Sequence, residues 1–299
     1  MNTSAHPSDR TQAAAAWPND GPSAPDDATT SPTALRLPAQ ALAPLPRRLA
    51  APARFGATLG RLGAHALRGQ RILRRDFPQL DSAARQQHIR NWSADLVQLC
   101  GIDLQVTGAP APAPTLVAAN HVSWIDIFAI NAVQPVRFVS KAEAGNWPLI
   151  GPLVRGVGTL FIQRERAQDV VRVIREMAQS LQDGDHVGVF PEGTTTLGHD
   201  LLPFHANLFQ AACAGDCPVA VQPVLLFYAD AHSGRFSRAA AYVGDETMLG
   251  SLWRMSTAPR LRIEVDYLPP IQAGNRRALT QQTRDAIAER LHARLRDIR

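Results

Sequence analysis

The run Thr115-Leu116-Val117-Ala118-Ala119-Asn120-His121-Val122-Ser123-Trp124-Ile125-Asp126 decides how the rest of the chain is read. An apolar start followed by an Asn-His pair reads as a buried strand that empties into a polar turn. Histidine is the side chain whose ordinary pKa lies near neutrality, which suits it to take a proton from a hydroxyl. An aspartate within reach can fix the imidazole tautomer and stabilise the imidazolium that forms. On a regular helix, residues five apart point roughly 140° away from each other. Pairing of His121 with Asp126 therefore requires His121 in the turn or helix cap, with Asp126 reaching back from the first helical turns.

Outward from this run the chain alternates. Candidate strands lie at 104–107, 115–119, 136–140, 159–163, 186–190, 219–227, 239–243 and 261–267, and candidate helices at 124–133, 166–182, 204–214 and 280–298. The last helix repeats Ile287, Leu291, Leu295 and Ile298 on one face behind a Thr280 cap. Strands separated by helices predict an α/β fold, a sheet covered on both sides.

Four of these strands run into polar groups. Residues 115–119 end in Asn120 and His121, 136–140 in Lys141 with Glu143 nearby, 159–163 in Arg164, and 186–190 in Pro191-Glu192-Gly193-Thr194-Thr195-Thr196. Ligand sites of open α/β sheets gather at the carboxyl ends of strands, so these groups can converge on one cleft. Arg164 offers a planar fork for phosphate or carboxylate, and Lys141, the only lysine of the chain, a compact charge. Gly193 lets a ligand approach the backbone, and the threonine hydroxyls can donate hydrogen bonds. A base, two cations, a carboxylate and a small-residue turn suit transfer of an acyl group to the hydroxyl of an anionic acceptor.

The sequence resembles the glycerolipid acyltransferase family, whose bacterial type member is 1-acylglycerol-3-phosphate O-acyltransferase. Its Asn-His-x4-Asp block is matched by Asn120, His121 and Asp126, and its Gly-x-x-Phe-Ile-x-Arg block by Gly158 to Arg164. The Phe-Pro-Glu-Gly-Thr block is matched by Phe190 to Thr194, and the proline-centred fourth block by Val221-Gln222-Pro223-Val224. The resemblance implies His121 as general base, Asp126 as its orienting partner, and Arg164, Glu192, Gly193 and Lys141 as the acceptor's binding groups, with Asn120 and Thr194 beside them. It also implies a mixed, mostly parallel sheet flanked by helices and preceded by two helices that dock on the membrane. Acyl-carrier protein or acyl-CoA would supply the thioester as co-substrate, with no cofactor and no covalent acyl-enzyme. The phosphatidate-forming enzymes usually carry a basic residue directly after Glu-Gly-Thr, where this chain has Thr195. The expected reaction is acyl transfer to 1-acylglycerol-3-phosphate to give phosphatidic acid; the run Phe-Pro-Glu-Gly-Thr-Thr also resembles the subfamily that acylates lyso-ornithine lipid, which is the alternative acceptor.

Residues 1–45, rich in Ala, Pro, Ser, Thr and Asp, bury too little apolar surface to fold and read as a disordered tail. From Pro46 to Arg90, ten arginines face only Asp76 and Asp81. Phe55, Leu59, Leu62 and Ala66 fall at helical spacing, while Arg54, Arg61 and Arg68 recur every seven residues. A basic amphipathic helix of this kind reads either as a membrane-surface element or as a solvated helix covering the core. Nucleic acid is disfavoured, because aromatics are not interleaved with the arginines. A second helix is expected over 82–100, completing a helical segment, 46–100, ahead of an acyltransferase domain, 101–299.

The net charge of +5 and pI near 9.7 favour anionic lipid and an acidic acyl-carrier protein as partners. With no apolar run near the length of a bilayer span and no signal peptide, a peripheral place on the cytoplasmic face of the bacterial inner membrane is expected. Cys100, Cys213 and Cys217 read as reduced thiols, since no second Cys/His pair completes a zinc site. A serine hydrolase built on Ser123 lacks the Gly-x-Ser-x-Gly elbow. A metal hydrolase using His121, His199, His205 and Asp126 lacks any His-x-x-x-His or Cys-x-x-Cys pair. A degenerate, non-catalytic membrane or acyl-carrier binding module would have lost His121, Asp126 or Glu192, all of which are present.

Overall fold

The computed structural model describes residues 51–147, 150–163, 166–214, 219–272 and 274–297. The tail over 1–45, the first residues of the basic segment, Arg164 and Cys217 lie outside the described residues. Seven strands, β1 (Ile102–Thr107), β2 (Thr115–Ala119), β3 (Arg137–Lys141), β4 (Leu160–Ile162), β5 (His186–Val189), β6 (Ala220–Asp230) and β7 (Leu261–Tyr267), form one sheet. Their order is β1-β7-β6-β2-β5-β3-β4. Every pairing is parallel except β6 with β7, where Leu226 lies opposite Val265.

All five residues of β2 are buried, as expected of a central strand covered on both faces. Val117 and Ala119 join Val224, Leu226 and Tyr228 of β6 in a cluster on one face. Leu116 and Ala118 join Val173, Met177 and Leu181 on the other. The first face is covered by α1 (Ala51–Arg75), α2 (Ser82–Leu99), α3 (Asp126–Asn131) and α6 (Met248–Thr257), with α4 (Gly151–Gly156) packed against α1. The second carries α5 (Ala167–Gln182), a 3-10 segment at Ala206–Cys213 and α7 (Arg276–Arg296). Arg290 pairs with Asp266 and Arg294 forks onto Glu264, which pins α7 across β7.

Several elements differ from the sequence reading. Residues 239–243 are a loop, because their backbone groups are taken elsewhere: Tyr242 N–H donates to Val122 at 2.9 Å, and Arg254 donates to the carbonyls of Ala239 and Ala241. The terminal helix starts four residues earlier than its expected Thr280 cap, because Asn275 accepts from Ala278 N–H at 2.9 Å. Residues 204–214 wind as a 3-10 segment rather than an α-helix. Neither α4 nor α6 is visible in the sequence pattern; Gly250 and Ser251 interrupt the apolar run of α6.

The basic helix turns its apolar face inward. Phe55, Leu59 and Leu62 pack on the first cluster and Ala66 is buried, so this face of α1 covers the domain. Arg68, Arg71, Arg74 and Arg75 are exposed. His65 stacks on Trp92 of α2 at 4.6 Å and donates from Nε2 to the Trp92 carbonyl, while the Trp92 indole donates to the His65 carbonyl. Among the described residues no helix is long and apolar enough to cross a membrane.

Candidate active site

β2 stops at Ala119, and the next residue spends its side chain on the sheet. Asn120 is fully buried, donates to the Leu226 carbonyl at 3.0 Å and accepts from Leu226 N–H at 2.7 Å. It extends the β2–β6 pairing with a side-chain amide. Both ends of the amide are taken by Leu226, so the Asn120 side chain holds the two strand ends together.

The turn that follows sets His121 just before α3. Its Nδ1 lies 2.9 Å from Asp126 Oδ2, and Asp126 is the first residue of the helix. The same Oδ2 accepts from the N–H groups of Val122 at 2.7 Å and Ser123 at 2.9 Å. Oδ1 accepts from the Tyr228 hydroxyl at 2.5 Å. An ionised carboxylate only accepts, so the His121 proton sits on Nδ1 and the Nε2 lone pair is left for chemistry. Nε2 has no hydrogen-bond partner among the described residues. Burial, with Asp126 beside it, pushes the Tyr228 phenol well above its ordinary range and keeps it a donor.

The ring face is held as well. His121 stacks on Phe190 with centroids 3.9 Å apart and planes 10° from parallel, and Phe190 stacks on Phe138 at 5.3 Å. Gly188 makes room for this column: a Cβ there would stand 2.7 Å from the Phe138 ring. Tyr228, Phe138 and the stacking role of Phe190 were not found from sequence. The available signal for Tyr228 was parity, since it continues Val224 and Leu226 on one face of β6 and carries a polar tip into a buried layer.

Glu192 sits beneath this turn. It is 4% exposed, accepts from His121 N–H at 2.8 Å through Oε1 and from Leu202 N–H at 2.9 Å through Oε2. Both oxygens are occupied by backbone N–H groups, so Glu192 braces the His121 turn from below. Gly193 follows in the left-handed region at φ 76°, which turns the chain back over the cleft. Thr196 then closes the turn, its N–H donating to the His121 carbonyl at 2.8 Å.

Burial raises the Glu192 pKa from 4.5 to about 7, against the lowering effect of its two backbone hydrogen bonds. Between those values the folded chain binds more protons at this site than the unfolded chain. Stability is therefore greatest below the unfolded pKa and is lost as pH rises through about 7. Thermal unfolding of the wild type is expected to drop by roughly 5 °C between pH 5 and pH 8. Glu192→Gln starts lower, because its amide N–H2 faces a backbone donor, and shows a flatter slope. An identical slope in both proteins would exclude Glu192 as the titrating group.

His121 opens on a cavity of about 780 Å³, within the range of small-molecule sites. Its walls are chiefly apolar, with Leu59, Leu62, Ile72 and Leu73 of α1, Trp92 and Leu96 of α2, and Phe128 of α3. Its polar lining includes His121, Ser140, Lys141, Glu143, Thr194 and Thr195, with Gly193 between them in the chain. Lys141, Glu143 and Thr194 are exposed, and the Thr195 hydroxyl donates to the Tyr242 carbonyl. The structure thus brings His121, Asp126, Lys141, Gly193 and Thr194 to one cleft, while Arg164 lies outside the described residues. Burial pushes the Cys100 thiol up to about 12, which makes it an inert core residue. Among the described residues, no three His, Cys, Asp or Glu side chains gather as a metal site.

Residues 103–226 match the family described as acyltransferase. The lyso-ornithine lipid O-acyltransferase of Pseudomonas aeruginosa is 37% identical over 218 residues, covering 72% of this chain and 83% of that protein. The 1-acyl-sn-glycerol-3-phosphate acyltransferase of Neisseria gonorrhoeae is 43% identical over 171 residues, covering 56% and 65%. The crystal structure of the 1-acyl-sn-glycerophosphate acyltransferase PlsC from Thermotoga maritima superposes with a TM-score of 0.62 over 82% of this chain and 97% of that one. At 18% identity, this last likeness is one of fold.

Proposed function

The chain belongs to the glycerolipid/lysophospholipid acyltransferase family, and from that premise we propose a lysolipid O-acyltransferase whose preferred acceptor is lyso-ornithine lipid. It is an acyltransferase, and the finer assignment rests on the site. The observation that carries the reaction is the His121–Asp126 pair opening with a free Nε2 onto an apolar cavity. The acceptor hydroxyl gives its proton to Nε2 as its oxygen attacks the thioester carbonyl. The tetrahedral adduct then expels the thiolate, which takes the proton back from Nε2. An ester and a free thiol result, and no bond to the protein forms.

Two features support the acceptor. Thr195 places a neutral hydroxyl on the cavity wall where phosphatidate-forming relatives usually carry a cation. Lys141 and Glu143 both line the cavity from exposed positions, one cation and one carboxylate for a head group that carries an ammonium and a carboxylate. The breadth of the match to the Pseudomonas aeruginosa protein agrees with this choice. Lysophosphatidate is the second reading, supported by the higher identity to the Neisseria gonorrhoeae protein over a shorter span. We place the enzyme peripherally on the cytoplasmic face of the bacterial inner membrane, drawing acyl groups from acyl-carrier protein or CoA.

The test is acyl transfer with lyso-ornithine lipid and lysophosphatidate side by side, each with both donors. Product from lyso-ornithine lipid is expected; product from lysophosphatidate alone would replace this reading with the second. Thr195→Arg should raise relative turnover of lysophosphatidate by about tenfold, because a guanidinium binds phosphate through charge-assisted hydrogen bonds. An unchanged ratio would remove position 195 from acceptor choice.

A further inference from the structure

Peripheral attachment needs charge and an apolar contact together. Helix α1 supplies the first, with six arginines and neither Asp nor Glu over Ala51–Arg75. Its apolar face is committed to the domain and the cavity, so Phe55, Leu59 and Leu62 are not available to lipid. On α1 itself Leu67, 57% exposed, is the large apolar side chain left outside, and a wider apolar contact calls on another element.

Helix α6 presents one. Leu249 is 58% exposed and Trp253 41% exposed, and at a spacing of four they share one face. The opposite face is anchored: Leu252 and Met255 are in the core and Ser251 is fully buried. Trp253 meets Phe55 of α1 edge-on at 5.1 Å, which sets this face beside the basic helix. Arg254, on the same helix, is neutralised by Glu246. Leu249 also lines the cavity that His121 opens on, together with Met248 and Leu252 of α6 and Leu59 and Leu62 of α1. Leu249 both lines the cavity and is largely exposed, so the cavity reaches the surface beside α6, as it also does at the exposed Lys141, Glu143 and Thr194. Trp124, two residues before Asp126, donates to Ser251 at 3.2 Å and ties α6 to the catalytic turn.

We propose that the Leu249–Trp253 face of α6 inserts into the interfacial layer of an anionic bilayer, and that the lysolipid's chain enters the cavity from the bilayer between α1 and α6. The arginines of α1 supply the charge complementarity and the α6 pair the apolar insertion, with tryptophan at the headgroup level where its ring is favoured. This rests on the reading of the protein as a peripheral membrane enzyme.

The experiment is co-flotation of the full chain with phosphatidylglycerol-containing vesicles and with neutral phosphatidylcholine vesicles, no substrate present. The proteins compared are wild type, Leu249→Arg, the double variant Leu249→Arg/Trp253→Arg, and Val171→Arg. Val171 is 49% exposed on α5, across the sheet from α6, and serves as the control. Unfolding midpoints report whether each variant folds, and Leu249→Arg alone avoids disturbing the Phe55 contact. The expected result is binding of wild type and Val171→Arg to anionic vesicles, with about tenfold weaker binding for Leu249→Arg and less still for the double variant. Equal binding by wild type and both α6 variants would overturn the inference and leave peripheral attachment standing. Failure of wild type itself to float would overturn both. A wild-type dimer in light scattering that the α6 variants split would make this face a contact between copies and also overturn the proposal.

Discussion

Replacing His121 by alanine is expected to lower acyl transfer by about 10²–10⁴-fold or to background, the range typical of a lost general base. The fold should survive. The side chain makes one hydrogen bond, to Asp126, and one ring contact, to Phe190, while the backbone groups of His121 remain bonded to Glu192 and Thr196. Circular dichroism and the unfolding midpoint should therefore stay close to wild type as kcat collapses. The effect should fall on kcat rather than on the KM for acceptor, because Nε2 acts on the proton in flight and not on the bound chain. Substantial turnover in a well-folded His121→Ala protein would refute the assignment.

The second large effect concerns Asp126, and here two substitutions separate charge from architecture. Asp126→Ala leaves the N–H groups of Val122 and Ser123 and the Tyr228 hydroxyl without their acceptor in a site that is 0% exposed. Each buried orphan costs about 1–3 kcal/mol, so this variant should lose several kcal/mol and unfold at markedly lower temperature. Asp126→Asn can be accommodated differently. Its carbonyl oxygen can take the place of Oδ2 against His121, Val122 and Ser123, and its N–H2 can donate to the Tyr228 oxygen. The fold and the His121 tautomer are then retained while the negative charge facing the imidazolium is gone. Near-wild-type stability with activity down about 10²–10⁴-fold is the expected outcome, measured by unfolding and steady-state rates on one preparation. If Asp126→Asn turns over at the wild-type rate, Asp126 is a structural cap and not part of the base.

The pairing of His121 with Asp126 was legible in sequence because its geometry is local. A buried strand, a turn and a helix start lie within twelve residues, and the helical angle alone rules out pairing unless His121 precedes the helix. The central strands were legible for a similar reason, since short apolar runs bounded by turn residues describe β2 and β5 almost to the residue. Roles were less legible than positions. Asn120 and Glu192 belong to the right blocks, yet both spend their polar atoms on backbone groups, at Leu226 and at His121 and Leu202. Residue type and spacing cannot reveal which of a carboxylate's possible partners a fold will bring to it.

By itself, then, the sequence determined the layered α/β class, the His121–Asp126 pair and the convergence of strand ends on one cleft, all consequences of local periodicity and short spacing. Only the tertiary structure decided what surrounds that base. Tyr228 reaches Asp126 from 102 residues away, and Phe138 and Phe190 stack under the imidazole from two other strand ends. The apolar face of α1 turns inward to wall the cavity and leaves Arg68, Arg71, Arg74 and Arg75 outside, while α6, broken in sequence by Gly250 and Ser251, brings Leu249 to the cavity and leaves Trp253 exposed beside it. The physical reason is common to all of them. Which face of an element is buried, and which donor meets a given acceptor, depends on packing between segments far apart in the chain, and that information is absent from any single stretch of it.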